Sequence, residues 1–284
     1  MGGTFRPLPE LRGWRRVAIH VWDPPTDPSI YAIVDIPMTR ALDYLARLRA
    51  RTGVHVTVTH ITTRALALAV ARFPQTNGFV ARNHVYVRDD VDIFMQVSTE
   101  GGTDLSGIKI GRADQKTTLD IAREAAERIA VLRARKDKRV EQTKSLLGQI
   151  PRWALGRIVR GLGYLTYDWD VDLSRFGVVK DEFGSAMVTS VGMMGVRTAF
   201  APLLPFSRCP IVVLVGEIED RPIVEDGQVV VRPILSVGAT LDHRLIDGAQ
   251  GGQMIGIFRE YFADPERFDG VLDAEPAAAI SSSR

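Results

Sequence analysis

The chain has 284 residues, of which 45% are hydrophobic, 25% are charged and 7% are aromatic. This composition is typical of a globular protein and excludes collagen-like, low-complexity and disulfide-scaffold classes. Lysine and arginine number 36 against 34 aspartate and glutamate residues, a net charge of +2. That balance does not suit a protein that binds the phosphate backbone, so we expect no nucleic-acid partner.

The single cysteine, Cys209, cannot form a disulfide within the chain, and the first residues lack the apolar core of a signal peptide. No stretch reaches the roughly 18 uncharged apolar residues that a membrane span requires. These features predict a cytoplasmic protein. Cys209 itself is interpreted as a small buried hydrophobic residue rather than a nucleophile.

The first half of the chain alternates between strand and helix patterns. Residues 30–36 are rich in β-branched side chains and predict a strand, after which Thr39 is a candidate N-cap for an amphipathic helix ending at Gly53. Residues 57–73 predict a second, more deeply buried helix that stops before Pro74. In the segments that follow, alternation of apolar and polar residues predicts strands, and apolar residues at helical spacing predict a helix. These are short strands at 85–87, 91–97 and 108–110 and a long helix opened by Thr118.

The second half is mostly strand. Strands are predicted at 186–191, 211–215 and 235–241, with a hairpin that turns at 225–227 between 222–224 and 229–231. Residues 249–262 predict a helix, and 274–284 a disordered tail. Because the hairpin requires antiparallel pairing, we expect an α/β two-layer sandwich with a mixed β-sheet rather than a doubly wound parallel fold.

The candidate chemistry is concentrated at His243, which ends an apolar strand and is followed by Asp247 and Gly248 just before a helix. A base of near-neutral pKa placed there can take a proton from a thiol or hydroxyl. Taken alone, a histidine with an aspartate four residues later is also typical of a structural turn. The other four histidines are interpreted as core or surface residues, because none has a second ligand at the spacing of a metal site.

Residues 242–249, which read DHRLIDGA, resemble the signature of the 2-oxo acid dehydrogenase acyltransferases, the catalytic domains of dihydrolipoamide acyltransferases. Further matching pieces follow in family order. They are Arg15-Arg16, 31–36, 65–74 with Asn77, 90–93, 188–195, 199–202, 213–216, Arg221-Pro222 and 231–233. The resemblance implies a fold shared with chloramphenicol acetyltransferase and a catalytic domain over 15–273, after an extension at 1–14.

The resemblance also implies a mechanism and a set of roles. His243 would be the general base that deprotonates a thiol, and Thr189 would donate a hydrogen bond to the oxyanion formed from a thioester. Asp247 would orient the loop, through Arg15 or Arg16. Coenzyme A would be the acyl-carrying substrate, and Thr189, Ser190, Gly216 and Ile218 match positions that line its channel. The site would lie between subunits of a homotrimer, His243 and Thr189 coming from different chains.

The chain departs from the family pattern in four places. It contains no segment that resembles a lipoyl or peripheral-subunit-binding domain, so we expect no covalent lipoyl group here and a lipoyl domain of another protein as a partner. Prolines at 23–28 interrupt the helix that follows the arginine pair, and 101–108 is richer in glycine and polar residues. The fourth departure is an insertion at about 146–183.

The insertion includes residues 150–165, which mix three arginines with bulky apolar residues in the manner of an interfacial helix. We interpret it as a lid or subunit-packing element in preference to a membrane-surface contact, because its glycines weaken an isolated helix. Two functions follow from the whole sequence. The first is a stand-alone acyltransferase in a trimer or a larger assembly; the alternative is a non-catalytic homologue that acts as a trimeric scaffold.

Overall fold

The computed structural model describes residues 27–99, 104–135, 152–173 and 180–272. Some features singled out in the sequence lie outside these ranges. They are Arg15 and Arg16, the extension 1–14, the prolines at 24 and 25, residues 101–103, the insertion residues 146–151 and 174–179, and the tail 274–284.

The strands are β1 (Ser29–Pro37), β2 (Gly78–Ala81), β3 (His84–Val87), β4 (Ile93–Thr99), β5 (Asp104–Ile110), β6 (Ala186–Ser190), β7 (Ile211–Glu225) and β8 (Gln228–Asp242). The helices are α1 (Thr39–Thr52), α2 (Val58–Arg72), α3 (Thr118–Arg135), α4 (Arg152–Gly163), α5 (Gly248–Ala263) and α6 (Pro265–Asp269). A π-helical turn, Tyr164–Asp168, continues α4.

Six strands form one mixed sheet in the order β1-β8-β7-β6-β4-β5. β7 and β8 pair antiparallel through the hairpin, and β8 pairs antiparallel with β1, whereas β6 runs parallel to both β4 and β7. The predicted α/β class with a mixed sheet is therefore confirmed. Parallel neighbours need long crossover connections. Helix α3 lies in the connection from β4 to β6, whereas residues 191–210 join β6 to β7 without an α-helix. Helices α1, α2, α3 and α5 pack on one face of the sheet.

The main core lies between that face of the sheet and the helices. Ten of the 15 residues of α2 are buried, against four of 14 in α1, so the more deeply buried helix is the predicted one. Thr57 starts α2 with a capping box in which the Thr57 amide donates to Nδ1 of His60 at 3.1 Å. Each end of α2 is thus fixed by local sequence, at Thr57 and before Pro74.

The predicted cap of α1 is wrong. Met38, not Thr39, is the N-cap residue, and it makes no side-chain cap bond. Met38 is fully buried, and its amide donates to the Pro233 carbonyl of β8 at 2.8 Å. The start of α1 is therefore set by burial of Met38 against the sheet, which overrides the capping preference of threonine.

Two strand predictions also need correction. β2 was not predicted, and it pairs only with β3 in a separate two-stranded sheet. The segments predicted separately at 211–215 and 222–224 are one 15-residue strand, β7, and the two segments opposite are likewise one strand, β8. An irregularity between Val215 and Ile218 lets β7 bend without breaking its pairing, so the predicted gap is a bulge rather than a loop.

The described part of the insertion is held to the domain by Tyr167 and Asp168. The Tyr167 hydroxyl donates to the Ser207 carbonyl at 2.9 Å, and its ring meets Phe79 of β2 edge-on, with centroids 5.4 Å apart. The buried Asp168 carboxylate accepts from the Arg208 guanidinium at 2.8 Å and from the Arg82 amide at 3.1 Å. The segment therefore rests on the β2–β3 hairpin and on the turn around Ser207.

Within the described ranges, no helix combines the length and the apolar character that a membrane crossing requires.

Candidate active site

His243 lies in a tight turn between the end of β8 and the start of α5. Its amide donates to the Pro28 carbonyl at 2.9 Å, and the Asp242 amide donates to the Pro210 carbonyl at 2.9 Å. These two bonds tie the turn to the residues that precede β1 and β7. The backbone of His243 is thus fixed by three strands of the sheet.

The His243 ring is held in one orientation while its reactive nitrogen is left open. Nδ1 lies 3.0 Å from the Ile246 carbonyl oxygen, within the same turn. Because a carbonyl oxygen can only accept, Nδ1 carries the proton and the lone pair of the neutral imidazole is at Nε2. Nε2 has no hydrogen-bond partner among the described residues, and His243 is exposed, so Nε2 can accept a proton from a substrate.

Asp242 and Arg244, on either side of His243, form an ion pair that closes the turn. The Arg244 guanidinium donates to the buried Asp242 carboxylate at 2.6 and 2.9 Å, and the Arg244 amide donates to it at 3.0 Å. Donating hydrogen bonds to the Asp242 carboxylate raises the pKa of Arg244 above its usual value. No role was assigned to these two residues or to Pro28 from the sequence; alternating charges around the histidine were the available signal.

Asp247 caps α5. Its carboxylate accepts from the Gln250 amide at 2.9 Å, and the Gln250 side-chain oxygen accepts from the Asp247 amide at 3.1 Å. This capping box fixes where the turn becomes helix, four residues after His243. Asp247 makes no hydrogen bond with the His243 ring, and the arginine pair expected near it lies outside the described residues.

Thr189, Ser190, Gly216 and Ile218 come together at a second corner, where β6 ends beside the bend in β7. Thr189 pairs with Leu214 and Ser190 with Val215. The side chains of Thr189 and Ser190 make no hydrogen bond with any described residue, so both hydroxyls are free to meet a ligand. The four positions expected to line a coenzyme A channel are therefore adjacent in the fold.

Gly216 is required at this corner by a close approach of backbone. A Cβ atom there would lie 1.9 Å from the Arg197 carbonyl oxygen and 2.7 Å from that of Ser236. A Cβ on Gly192, in the turn after β6, would lie 2.4 Å from the Gly216 carbonyl oxygen. The two glycines let the turn after β6 pack directly on the backbone of β7.

His243 and Thr189 do not meet within one chain. Thr189 is level with Leu214 of β7 and Gly238 of β8, and His243 follows β8 beyond Asp242. Two strand spacings across the sheet and five residues along it separate their Cα atoms by about 15–20 Å. Neither side chain can span that gap, so a single chain does not place them about a common reacting atom.

Cys209 is fully buried, and burial raises the pKa of its thiol to about 12. The thiol therefore stays protonated at neutral pH and is no nucleophile. His60 is buried in the capping box of α2, and burial lowers its pKa to about 4. No cluster of three histidine, cysteine, aspartate or glutamate residues that could hold a metal ion occurs in the part of the chain that the structure describes.

Comparison with known proteins decides the family. The sequence profile described as 2-oxoacid dehydrogenases acyltransferase (catalytic domain) matches residues 16–147 and 181–268, well over half of the chain. The chain belongs to this family. The match skips 148–180, which include α4 and its π-helical turn.

Individual relatives agree. The chain is 22% identical over 246 residues to the dihydrolipoyllysine-residue acetyltransferase component of the pyruvate dehydrogenase complex of Rickettsia felis, covering 84% of this chain and 49% of that protein. The chain thus spans about half the length of the curated relatives it matches.

Solved structures of acyltransferase cores share the fold. The cubic core of a pyruvate dehydrogenase multienzyme complex superposes with a TM-score of 0.62 at 22% identity, covering 86% of this chain and 84% of the other. Dihydrolipoamide acetyltransferase of Azotobacter vinelandii, studied for the catalytic role of one serine, one histidine and one asparagine, gives a TM-score of 0.60 at 20% identity with the same coverage. The family resemblance seen in the sequence is confirmed.

Proposed function

We propose that the chain is a coenzyme A-dependent acyltransferase in which His243 is the general base. The observation that carries the proposal is the His243 ring, whose Nδ1 is fixed by the Ile246 carbonyl and whose Nε2 is unpartnered and exposed. A scaffold has no need for a base oriented in this way, whereas an acyltransferase requires one.

The chemistry follows from these groups. Nε2 of His243 takes the proton of an attacking thiol, and the thiolate adds to the carbonyl carbon of a thioester. The Thr189 hydroxyl donates a hydrogen bond to the oxygen that becomes negative in the tetrahedral intermediate. The intermediate collapses when its carbon–sulfur bond to the leaving thiol breaks, and the imidazolium returns its proton to that thiolate.

The Azotobacter vinelandii enzyme supports these roles through spacing. Its catalytic histidine and asparagine are four positions apart, as are His243 and Asp247 here. Its serine precedes the histidine by 52 positions, and Thr189 precedes His243 by 54. In this chain Asp247 orients the turn by capping α5, and Thr189 carries a side-chain hydroxyl, as a serine does.

We further propose that the site is completed by a second chain of a homotrimer. The gap between Thr189 and His243 in one chain supports this, because a neighbouring copy must bring its Thr189 corner to His243 for both to act on one carbonyl. The related cubic core supports assembly into larger particles. The acceptor we propose is a thiol on a lipoyl domain of another protein, in the cytoplasm, where Cys209 stays reduced.

The proposal is tested by three measurements on the same protein. Calorimetry should show coenzyme A binding, light scattering should show a trimer or a multiple of it, and a thioester assay should show acyl transfer to dihydrolipoamide.

Mixing inactive His243→Ala and Thr189→Val proteins, with exchange of subunits, should restore part of the activity, because some interfaces then join an intact His243 to an intact Thr189. A trimer that binds no coenzyme A would favour a non-catalytic scaffold, and an active monomer would overturn the shared site.

A further inference from the structure

A cavity of about 600 Å³ lies beside the His243 turn. Asp242 and Arg244, the two neighbours of His243, line one side of it together with Pro28. α4 and its continuation contribute Arg160, Gly163 and Tyr164 to the lining. The cavity thus joins the turn that holds the base to the segment that the family profile skips.

The wall contributed by α4 lies in the segment that the family profile does not match, and it is anchored to the domain. Residues 148–180 have no counterpart in the family profile. The π-helical turn after α4 is anchored by the bond of Asp168 to Arg208, itself a lining residue of the cavity. Gly163 lies against Phe206, where an added Cβ would make ordinary contact at 3.5–3.7 Å.

The lining combines apolar side chains with three arginines and two aspartates, Asp27 and Asp242. The Asp27 carboxylate accepts from the Ser29 amide at 3.0 Å and from its hydroxyl at 2.7 Å. The apolar lining residues include Phe79, Val80, Leu203, Leu204, Pro205 and Phe206. Of the three lining arginines, Arg208 is paired with Asp168 and Arg244 with Asp242. Arg160 has no carboxylate partner among the described residues, and its Nε donates only to the Gly156 carbonyl at 3.1 Å.

We propose that this cavity binds a substrate with an apolar body and a carboxylate, and that Arg160 selects the carboxylate. The apolar residues would cover the body, and the free guanidinium nitrogens of Arg160 would form charge-assisted hydrogen bonds with the carboxylate. This inference rests on the proposed acyltransferase function, and it adds the class of substrate. The carboxylate can belong to the acyl group or to the acceptor, since both must approach His243.

Binding is tested first, without any turnover. Calorimetry compares octanoate with octanamide, which has the same apolar chain and no charge, on the wild-type protein. Octanoate should bind at least 10-fold more tightly than octanamide, and Arg160→Gln should remove that preference. Arg160→Lys should keep part of it. Arg157→Gln, the same change one turn earlier on α4 and off the cavity, should leave it unchanged within twofold.

Turnover then separates the two sources of the carboxylate. For the acyl group, suberyl-coenzyme A is compared with octanoyl-coenzyme A; for the acceptor, dihydrolipoate is compared with dihydrolipoamide. Arg160→Gln should raise KM about 10-fold for the charged member of one pair. The kcat for that substrate and the KM for the neutral member should stay within twofold of the wild-type values.

Three results would overturn the inference. The first is equal affinity of octanoate for the wild type and for Arg160→Gln. The second is an equal rise in KM for all coenzyme A esters in Arg160→Gln, which would make Arg160 a contact for coenzyme A itself. The third is attachment to lipid vesicles that depends on Arg160, in place of octanoate binding. Octanoate binding that depends on Arg160 in a protein without acyl transfer would sustain the pocket and reject the proposed function.

Discussion

The turn that holds His243 and the insertion beside the same cavity differ in how their side chains are held. In the turn the side-chain contacts are local, through the Asp242–Arg244 pair, the Ile246 carbonyl and the Asp247 cap, while only its backbone is tied to the distant Pro28 and Pro210. The insertion segment is held by residues distant in sequence, since Asp168 reaches Arg82 and Arg208, and Tyr167 reaches Ser207. Side-chain contacts between neighbouring residues can be predicted from a short motif, whereas contacts between residues distant in sequence cannot.

The two regions also differ in what they leave open. In the turn, the side chains of Asp242, Arg244 and Asp247 are hydrogen-bonded, as is Nδ1 of His243, whereas Nε2 of His243 has no described partner. In α4, Gly156 and Gly161 face open space, and the exposed Arg160 has only a bond within its own helix. The turn therefore holds Nε2 of His243 in a fixed position, whereas α4 presents an exposed surface with few contacts.

The largest effect is expected from the turn. His243→Ala should lower acyl transfer about 10²–10⁴-fold, because the thiol then lacks its base. His84→Ala is the matched control, since His84 is also exposed, with its Nδ1 at 2.8 Å from a backbone carbonyl, but lies on the β2–β3 hairpin. Thioester cleavage and thermal unfolding are measured on both; equal turnover in His243→Ala and the wild type would reject the assignment.

The second effect belongs to the other corner of the site. Thr189→Val should lower kcat about 10²–10³-fold, because one oxyanion donor is lost while the shape is kept. Thr189→Ser keeps the hydroxyl and should recover most of the rate. If Thr189→Val loses more activity than His243→Ala, the two roles must be reversed.

Breaking the long-range anchor tests the insertion. Asp168→Asn removes the charge from a largely buried pair with Arg208, and should destabilise the segment by about 1–3 kcal/mol. Hydrogen exchange should speed up in Tyr164–Asp168 but not in α5. Asp170→Asn, two residues away on an exposed carboxylate paired with Lys180, is the control and should change little. Uniformly faster exchange in both regions would mean that the insertion is part of the core.

The smallest effect has the opposite sign. Gly156→Ala in α4 should stabilise the helix by about 1 kcal/mol, because an added Cβ there meets nothing within 4 Å. The readout is again hydrogen exchange in α4. Gly216→Ala provides the contrast: its Cβ would collide with the Arg197 carbonyl, and thermal unfolding should show a lower midpoint.

Acid should act on stability through His60, apart from the site. Burial lowers the pKa of His60 to about 4, below the ordinary value of 6.5, so the unfolded state binds the proton more readily. Its contribution is fully present above pH 6.5 and is lost as the pH falls from 6.5 to 4. The slope of unfolding free energy against pH in this window should flatten in His60→Gln, and an unchanged slope would show that other groups dominate.

These contrasts explain which features could be predicted from the sequence. Strand periodicity, the turn at 225–227 and the motif around His243 depend on neighbouring residues, so the sheet class and the position of the candidate base could be predicted. The start of α1 was not, because Met38 is placed by burial against β8 rather than by a cap. Neither was β2, whose four residues gain their pairing only from β3. The cavity could not be predicted from the sequence, because only the fold brings Arg160 and Arg244 to the same cavity.

The anchors of Tyr167 and Asp168 determine how this segment can be altered. Both residues hold to the β2–β3 hairpin and to loops, outside the six-stranded sheet that carries His243 and Thr189. A segment attached in this way takes no part in the pairing of the six-stranded sheet. It can be replaced without changing the register of any strand, so a change in this segment would alter the cavity and leave the turn at His243 unchanged.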